Sequence, residues 1–202
     1  MNKKEITTQT YNIGASKLSK KFNEIGPRIK DIKRAFSFFS IKNPNTLEIG
    51  CGNGRDAKYI LKYTNKYLGI DISKEMIKLS KKFLPKTRFL VADIENITLP
   101  NKLDIVFAFA SFLHLNKTSI KKILNKPHEK INDNGIIYIS VKYSDEYIEK
   151  IKIDEFGKRF FYYYREEDFK KIAQKNKYKI LYTNRKIIKD VDWLTLILQK
   201  TI

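Results

Sequence analysis

The chain has 202 residues, enough for one well-packed domain and too few for two of ordinary size. Its single cysteine, Cys51, excludes an internal disulfide framework and a cysteine-rich zinc site; no apolar run approaches the roughly 18–20 residues of a membrane span, and residues 1–6 lack the apolar stretch of a signal peptide. The net charge of +19 rests on 41 basic residues of which seven are Arg, with Lys spread over nearly every segment, so it reads as compositional bias and solvated faces before it reads as a nucleic-acid surface. The expectation is a cytoplasmic, single-domain protein over 1–202, monomer or dimer, with no membrane partner.

Residues 1–10 are polar and are expected to be poorly ordered. Leu18 and Phe22, four apart, predict a helix over 11–23. Gly26-Pro27 breaks it, and Pro27 opens a second helix running to about Ser40, with Ile29, Ile32, Ala35, Phe36 and Phe39 on one face. Residues 1–40 thus form a helical N-terminal segment, ended by the turn Asn43-Pro44-Asn45. The short apolar run 46–49 reads as a buried parallel strand. It breaks into Gly50-Cys51-Gly52-Asn53-Gly54 and then a helical pattern from Ala57.

From there strands and helices alternate. Strands are expected over 66–70, ending in Asp71, over 88–92, ending in Asp93, over 103–109 and over 136–141. Ser73 is a natural N-cap for a helix over 74–83. A second helix spans 118–131, where Pro127 is expected to kink or split it, and Asn132-Asp133-Asn134-Gly135 is a turn. This alternation argues for a parallel sheet with helices on both faces. The aromatic run 159–164 is too dense for an ordinary loop. After a helix over 166–176, two strands, 178–182 and 193–198, follow without a crossover and must be antiparallel if they pair. The fold class is α/β: a Rossmann-like, mostly parallel, seven-stranded sheet over 46–200, closed by an antiparallel C-terminal hairpin.

A strand, a glycine loop and a helix start offer bare backbone, free N–H groups and partial positive charge to a nucleotide-like cofactor. Gly52-x-Gly54-x-x-Ala57 also fits a dinucleotide fingerprint with Asp71 at the ribose distance. Against that reading stand Glu48 before the glycines, Asp93 at the end of the third strand, and a hairpin in place of a second mononucleotide half. Leu47-Glu48-Ile49-Gly50-Cys51-Gly52-Asn53-Gly54, with Asp71 and Asp93, resembles the class I S-adenosylmethionine-dependent methyltransferases over about 46–200. Gly54-Arg55-Asp56, Ala110 to Leu115, Ser140-Val141-Lys142 and Arg159-Phe160-Phe161 resemble, more narrowly, bacterial small-molecule methyltransferases.

The resemblance implies S-adenosyl-L-methionine as cofactor and S-adenosyl-L-homocysteine as product. It implies Asp71 on the ribose hydroxyls, Asp93 on the adenine amine, Gly50 and Gly52 beside the methionine part, and Glu48, Cys51, Arg55, Ile72, Met76, Ala92, Ile94 and Ala108 around them. His114 is the candidate base, needed where the acceptor arrives protonated. Residues 1–40 are expected to be a lid over the acceptor pocket, with Tyr11 as a lid residue, and Lys142, Arg159, Tyr163 and Trp193 are candidates to line it, the two cations favouring an anionic or polar acceptor. Plainer roles remain open: capping for Asp71 and Asp93, core packing for Met76, Tyr163 and Trp193, an ion pair for Arg159, a structural histidine at 114. Cys51 is expected to pack, and His128 to lie on the surface. Methyl transfer to a small molecule leads; a tRNA or RNA methyltransferase using the basic surface is the alternative, and a non-catalytic scaffold the third.

Overall fold

Four consecutive buried residues form β1 (Thr46–Ile49), the centre of the sheet. In the computed structural model, which describes residues 1–39 and 41–201, β1 pairs in parallel with β2 (Tyr67–Asp71) on one side and β4 (Leu103–Phe109) on the other. β3 (Phe89–Val91) extends the sheet beyond β2, and β5 (Ile131–Tyr143) extends it beyond β4, both in parallel. The C-terminal strands β8 (Tyr178–Ile188) and β9 (Val191–Lys200) form the expected antiparallel hairpin, with β9 on β5. The order β3-β2-β1-β4-β5-β9-β8 reverses direction of progress between β1 and β4, the place where ligands bind in open α/β sheets.

Alternation along the strands divides the core between two faces. Val106 and Ala108 face Ile120, Ile123 and Leu124 of α6 (Lys117–Lys130) and Phe169 and Ile172 of α7 (Glu166–Lys175). Ile105, Phe107 and Phe109 face Ile32, Ala35 and Phe36 of α3 (Ile29–Phe36), Ala57 and Ile60 of α4 (Ala57–Ile60), and Ile77 of α5 (Lys74–Phe83). Each fully buried Leu, Ile or Phe contributes about 1.5–3 kcal/mol, so these two layers dominate stability.

The structure adds to the seven-stranded expectation. Among the described residues the sheet has nine strands, because β6 (Ile148–Asp154) and β7 (Gly157–Tyr164) form an antiparallel hairpin whose β7 meets β5 in parallel at Lys142 and Tyr143. The aromatic run is β7. β6 is almost wholly exposed, and Lys150 and Lys152 suit it to an edge. Pro127 does not divide α6, which runs continuously through it. Asn132–Gly135 is absorbed into β5 as a bulge, opposite the step from Leu103 to Ile105, with Asn134 at φ 65°.

The N-terminus is the clearest correction. Residues 1–10 are not loose: α1 (Lys3–Ile13) starts at a capping box in which Asn2 and Glu5 satisfy each other's backbone N–H groups, both at 2.9 Å. Its polar residues are inward. Thr10 Oγ1 donates to the Lys158 carbonyl (2.6 Å), and Thr7 Oγ1 accepts from the Phe160 N–H (3.1 Å), so the threonines dock the helix on β7. Gly14 then separates α1 from α2 (Ala15–Ile25), where a single helix over 11–23 was expected. A Cβ at Gly14 would lie 3.1 Å from the Thr10 carbonyl and 3.3 Å from that of Phe156. α3 ends at Phe36; the expected helix end at Ser40 lies outside the described residues. Among the described residues no helix is long and apolar enough to cross a membrane.

Candidate active site

A cavity of about 760 Å³ opens at the C-terminal ends of β1, β2, β4 and β5, with residues of α1 and α2 along its rim. Its first half is made from backbone and strand tips. The N–H groups of Gly50 and Cys51 both donate to the Ile70 carbonyl (2.8 and 3.0 Å), which ties the glycine loop to β2. Gly50 has φ 73° and packs so closely on Ser111 that an added Cβ would sit 2.5 Å from the serine Cβ. Gly52, at φ 54°, is the opposite case: a Cβ there would meet no protein atom within 4 Å, because the position faces the cavity.

Asp71 ends β2 beside this loop. Its carboxylate accepts from the N–H groups of Gly52 (2.9 Å) and Ser73 (2.8 Å). Burial raises its pKa, and those two donors oppose the rise. Ser73 caps α5 by accepting from the Met76 N–H (3.2 Å) and donates its own proton to Asn12 Oδ1 (2.8 Å), fastening α1 over the site. Asp93 accepts from the Glu95 N–H (2.9 Å), from Asn96 (3.2 Å) and from Lys4 Nζ (2.6 Å). Ile72, Met76, Ala92 and Ile94 supply apolar wall between these carboxylates.

The second half is built by β5, β7 and α1. His114 Nδ1 lies 2.7 Å from the Phe160 carbonyl, which can only accept, so Nδ1 carries the hydrogen and Nε2 receives the Tyr11 hydroxyl (2.9 Å). Burial, with Arg159 and Lys142 nearby, lowers the His114 pKa to about 4, which keeps the ring neutral. Burial chiefly, then the charges of Lys152, Arg159 and Lys150, brings Lys142 down to about 8. Lys142 Nζ donates to the Tyr163 hydroxyl (3.2 Å) and stands 4.0 Å from the centre of the Phe161 ring. Arg159, buried, donates from Nη2 to Asp154 (2.5 Å), and its Nε is buried without a partner among the described residues.

The cavity brings together Tyr11, Gly50, Cys51, Gly52, Arg55, Asp71, Ile72, Met76, Ala92, Asp93, Ile94, His114, Lys142, Arg159 and Trp193. Three candidates lie outside it. Glu48 is buried under the loop, where its carboxylate accepts from the Tyr67 hydroxyl (2.5 Å); burial and the nearby Asp56 raise its pKa. Ala108 faces α6 by strand alternation, and Tyr163 stands behind Lys142. Arg55 both lines the cavity and donates to the Phe22 carbonyl (2.9 Å). Cys51 is buried and its thiol is pushed up by that burial. His128 is half-buried rather than on the surface, edge-on to Tyr178.

Sequence reasoning passed over Lys4, Ser111 and Asp154. Asp154-Glu155-Phe156-Gly157, a turn signal with Gly157 at φ 112°, would have located the β6–β7 hairpin and hence Asp154 beside Arg159. Ala110, at φ 50°, is a strained non-glycine residue on the cavity wall, held by hydrogen bonds from its N–H to the carbonyl and hydroxyl of Ser140 (3.0 and 3.1 Å).

This sheet order, a glycine loop over the switch point and acidic residues at the next two strand tips define the class I methyltransferase architecture. Residues 46–135 match the family described as methyltransferase domain. The chain is 31% identical over 180 residues to malonyl-[acyl-carrier protein] O-methyltransferase 2 of Ilyobacter polytropus, covering 83% of this chain and 64% of that protein. It is 28% identical over 151 residues to malonyl-[acyl-carrier protein] O-methyltransferase 1 of the same organism, covering 72% and 55%. The chain spans between 32% and 64% of the length of the first curated relatives it matches. In fold it is similar to the 1,6-didemethyltoxoflavin-N1-methyltransferase of Burkholderia thailandensis, with a TM-score of 0.76, 15% identity, and coverage of 100% of this chain and 92% of that one. Residues 46–135 thus carry a match to a methyltransferase domain, and the sheet around them has the fold of the solved methyltransferases it resembles.

Proposed function

We propose that the chain transfers a methyl group from S-adenosyl-L-methionine to a small-molecule acceptor and releases S-adenosyl-L-homocysteine. The observation that carries this reading is the division of one cavity into an acidic, glycine-lined half and a cationic half. The residues of the first half fit the cofactor: Gly52 leaves open the space that a Cβ would fill, and Asp71, already oriented by two backbone N–H groups, keeps lone pairs for ribose hydroxyls. Asp93 would accept from the adenine amine, with Ile72, Met76, Ala92 and Ile94 around the base. When bound, the cofactor supplies an already activated methyl group, so the protein's task is chiefly alignment and exclusion of water.

The helices α1 and α2 act as the lid. Three contacts latch α1: Asn12 to Ser73, Lys4 to Asp93, and Tyr11 to His114. For an acceptor that arrives protonated, His114 Nε2 is the atom on which the proton is collected. The acceptor's proton passes to the Tyr11 oxygen as Tyr11 gives its own to Nε2. The Nδ1–H bond to the Phe160 carbonyl holds the ring in the tautomer this requires. Calorimetry with S-adenosylhomocysteine, followed by transfer of labelled methyl to a panel of small acceptors, tests the reading. Micromolar binding with transfer is the expected result, and absence of binding at millimolar ligand overturns it.

A further inference from the structure

We infer that the acceptor carries a carboxylate, held between Arg159 and Lys142 on the floor of the cavity's second half. This rests on the methyltransferase reading and names the class of its acceptor. Both cations stand over Phe161, Lys142 Nζ at 4.0 Å and the Arg159 guanidinium carbon at 5.5 Å from the ring centre, so an apolar surface lies beside paired positive charge. Among the described residues no carboxylate pairs with Lys142, and Arg159 has one, Asp154, which it shares with Lys152. Asp154 therefore offsets the buried charge of Arg159 and leaves that of the half-exposed Lys142 for a ligand. The side chain of Arg159 is 8% exposed and its Nε has no partner, a costly state for a charged donor unless something else completes it.

The cavity holds a further unpaired polar atom, next to Gly50. Ser111 Oγ is also buried, without a partner, and lines the same cavity. Phe109, Phe112, Phe161 and Trp193 supply apolar wall to the same cavity, and its carboxylates beyond Asp71 and Asp93 are already engaged, Asp31 by Tyr138 and Arg34 and Asp56 by Arg28. An aryl or alkyl carboxylate matches that arrangement: an apolar body against the aromatic walls, and a planar anion presented to a guanidinium and an ammonium. Its binding has a consequence for His114. Arg159 and Lys142 both disfavour a proton on that ring, and an anion between them relieves the repulsion. The acceptor would then raise the basicity of the group that takes its proton.

The test is calorimetry on the chain saturated with S-adenosylhomocysteine, using benzoate, cinnamate and octanoate, each against its neutral amide. At least one carboxylate is expected to bind tenfold or more tightly than its amide. Lys142→Gln and Arg159→Gln should each erase at least tenfold of that preference while amide and S-adenosylhomocysteine affinities hold. Lys142 is half-exposed, so its variant serves if the Arg159 variant does not fold. In wild type, a bound carboxylate should move the His114 ring titration upward by NMR, which a purely structural arginine would not do. Equal affinity for acids and amides, or an unchanged preference in Lys142→Gln, overturns the inference. Failure of S-adenosylhomocysteine to bind overturns the methyltransferase reading instead, and the same carboxylate titration without it still decides this one.

Discussion

The two halves of the cavity are built by different means. The glycine half draws its groups from one continuous stretch, residues 50 to 94, and uses backbone geometry and strand-tip carboxylates to shape them. The cationic half gathers Tyr11, His114, Lys142, Arg159 and Trp193 from five separate elements, and the β6–β7 hairpin and α1 bring them into one wall. On the proposed function a shared cofactor would account for the first construction, since any parallel sheet with this loop can present it, and a particular acceptor would account for the second. Substitutions in one half should therefore leave the other half's ligand almost untouched.

The largest break in that comparison is expected at His114. If Nε2 collects the proton, His114→Gln should lower kcat by about 10²–10⁴-fold for a protonated acceptor, with S-adenosylhomocysteine affinity unchanged by calorimetry. A pH profile sharpens it. The folded-state pKa of His114 is about 4 against an ordinary 6.5, so the unfolded chain binds the proton more readily between these values. Its contribution to stability is present above pH 6.5 and lost as the pH falls towards 4, about 3 kcal/mol in all. Urea unfolding of wild type should show that loss, and His114→Gln should not. At the other end, Lys142 titrates near 8, so acceptor affinity should fall as the pH rises through that value.

Next in size is Gly50. Gly50→Ala forces a left-handed residue and a Cβ 2.5 Å from that of Ser111, and should cost about 2–5 kcal/mol in unfolding free energy, measured in urea. Asp71→Ala follows, weakening S-adenosylhomocysteine by about 1.5–3 kcal/mol through loss of hydrogen bonds to a charged acceptor. An unchanged affinity would place the ribose elsewhere. The smallest effect is at Lys4, a part-exposed ion pair with Asp93. Because the ammonium competes with the adenine amine for that carboxylate, Lys4→Gln should tighten the cofactor by no more than about 1 kcal/mol.

The same division explains what could be read from the residues alone. β1, β4 and α5 lie where apolar runs and the Ser73 cap placed them, because local pattern and tertiary burial agree there. Asp71 and Asp93 were legible as strand tips following such runs. α1 was not, since its inward face is Thr7 and Thr10, whose value comes from hydrogen bonds to β7 that no local pattern encodes. Glu48 and Ala108 show the limit of a motif: both lie within a letter or two of the cavity, yet strand alternation turns one under the loop and the other towards α6. Arg159 was legible as a basic residue in an aromatic run. That its neighbour is Asp154 became visible only through the hairpin.

With the methyl donor in the glycine half, Gly52 is the position where one added methyl group should intrude on it. The position has no protein neighbour for an added Cβ, so Gly52→Ala should cost the fold only the left-handed strain of about 1–2 kcal/mol. Wild type and Gly52→Ala should be titrated in parallel with S-adenosylhomocysteine by calorimetry. Micromolar binding to wild type and at least tenfold weaker binding to the variant are expected, with the variant still folded by circular dichroism. Equal affinities in the two proteins, or no binding to wild type at millimolar ligand, would contradict it.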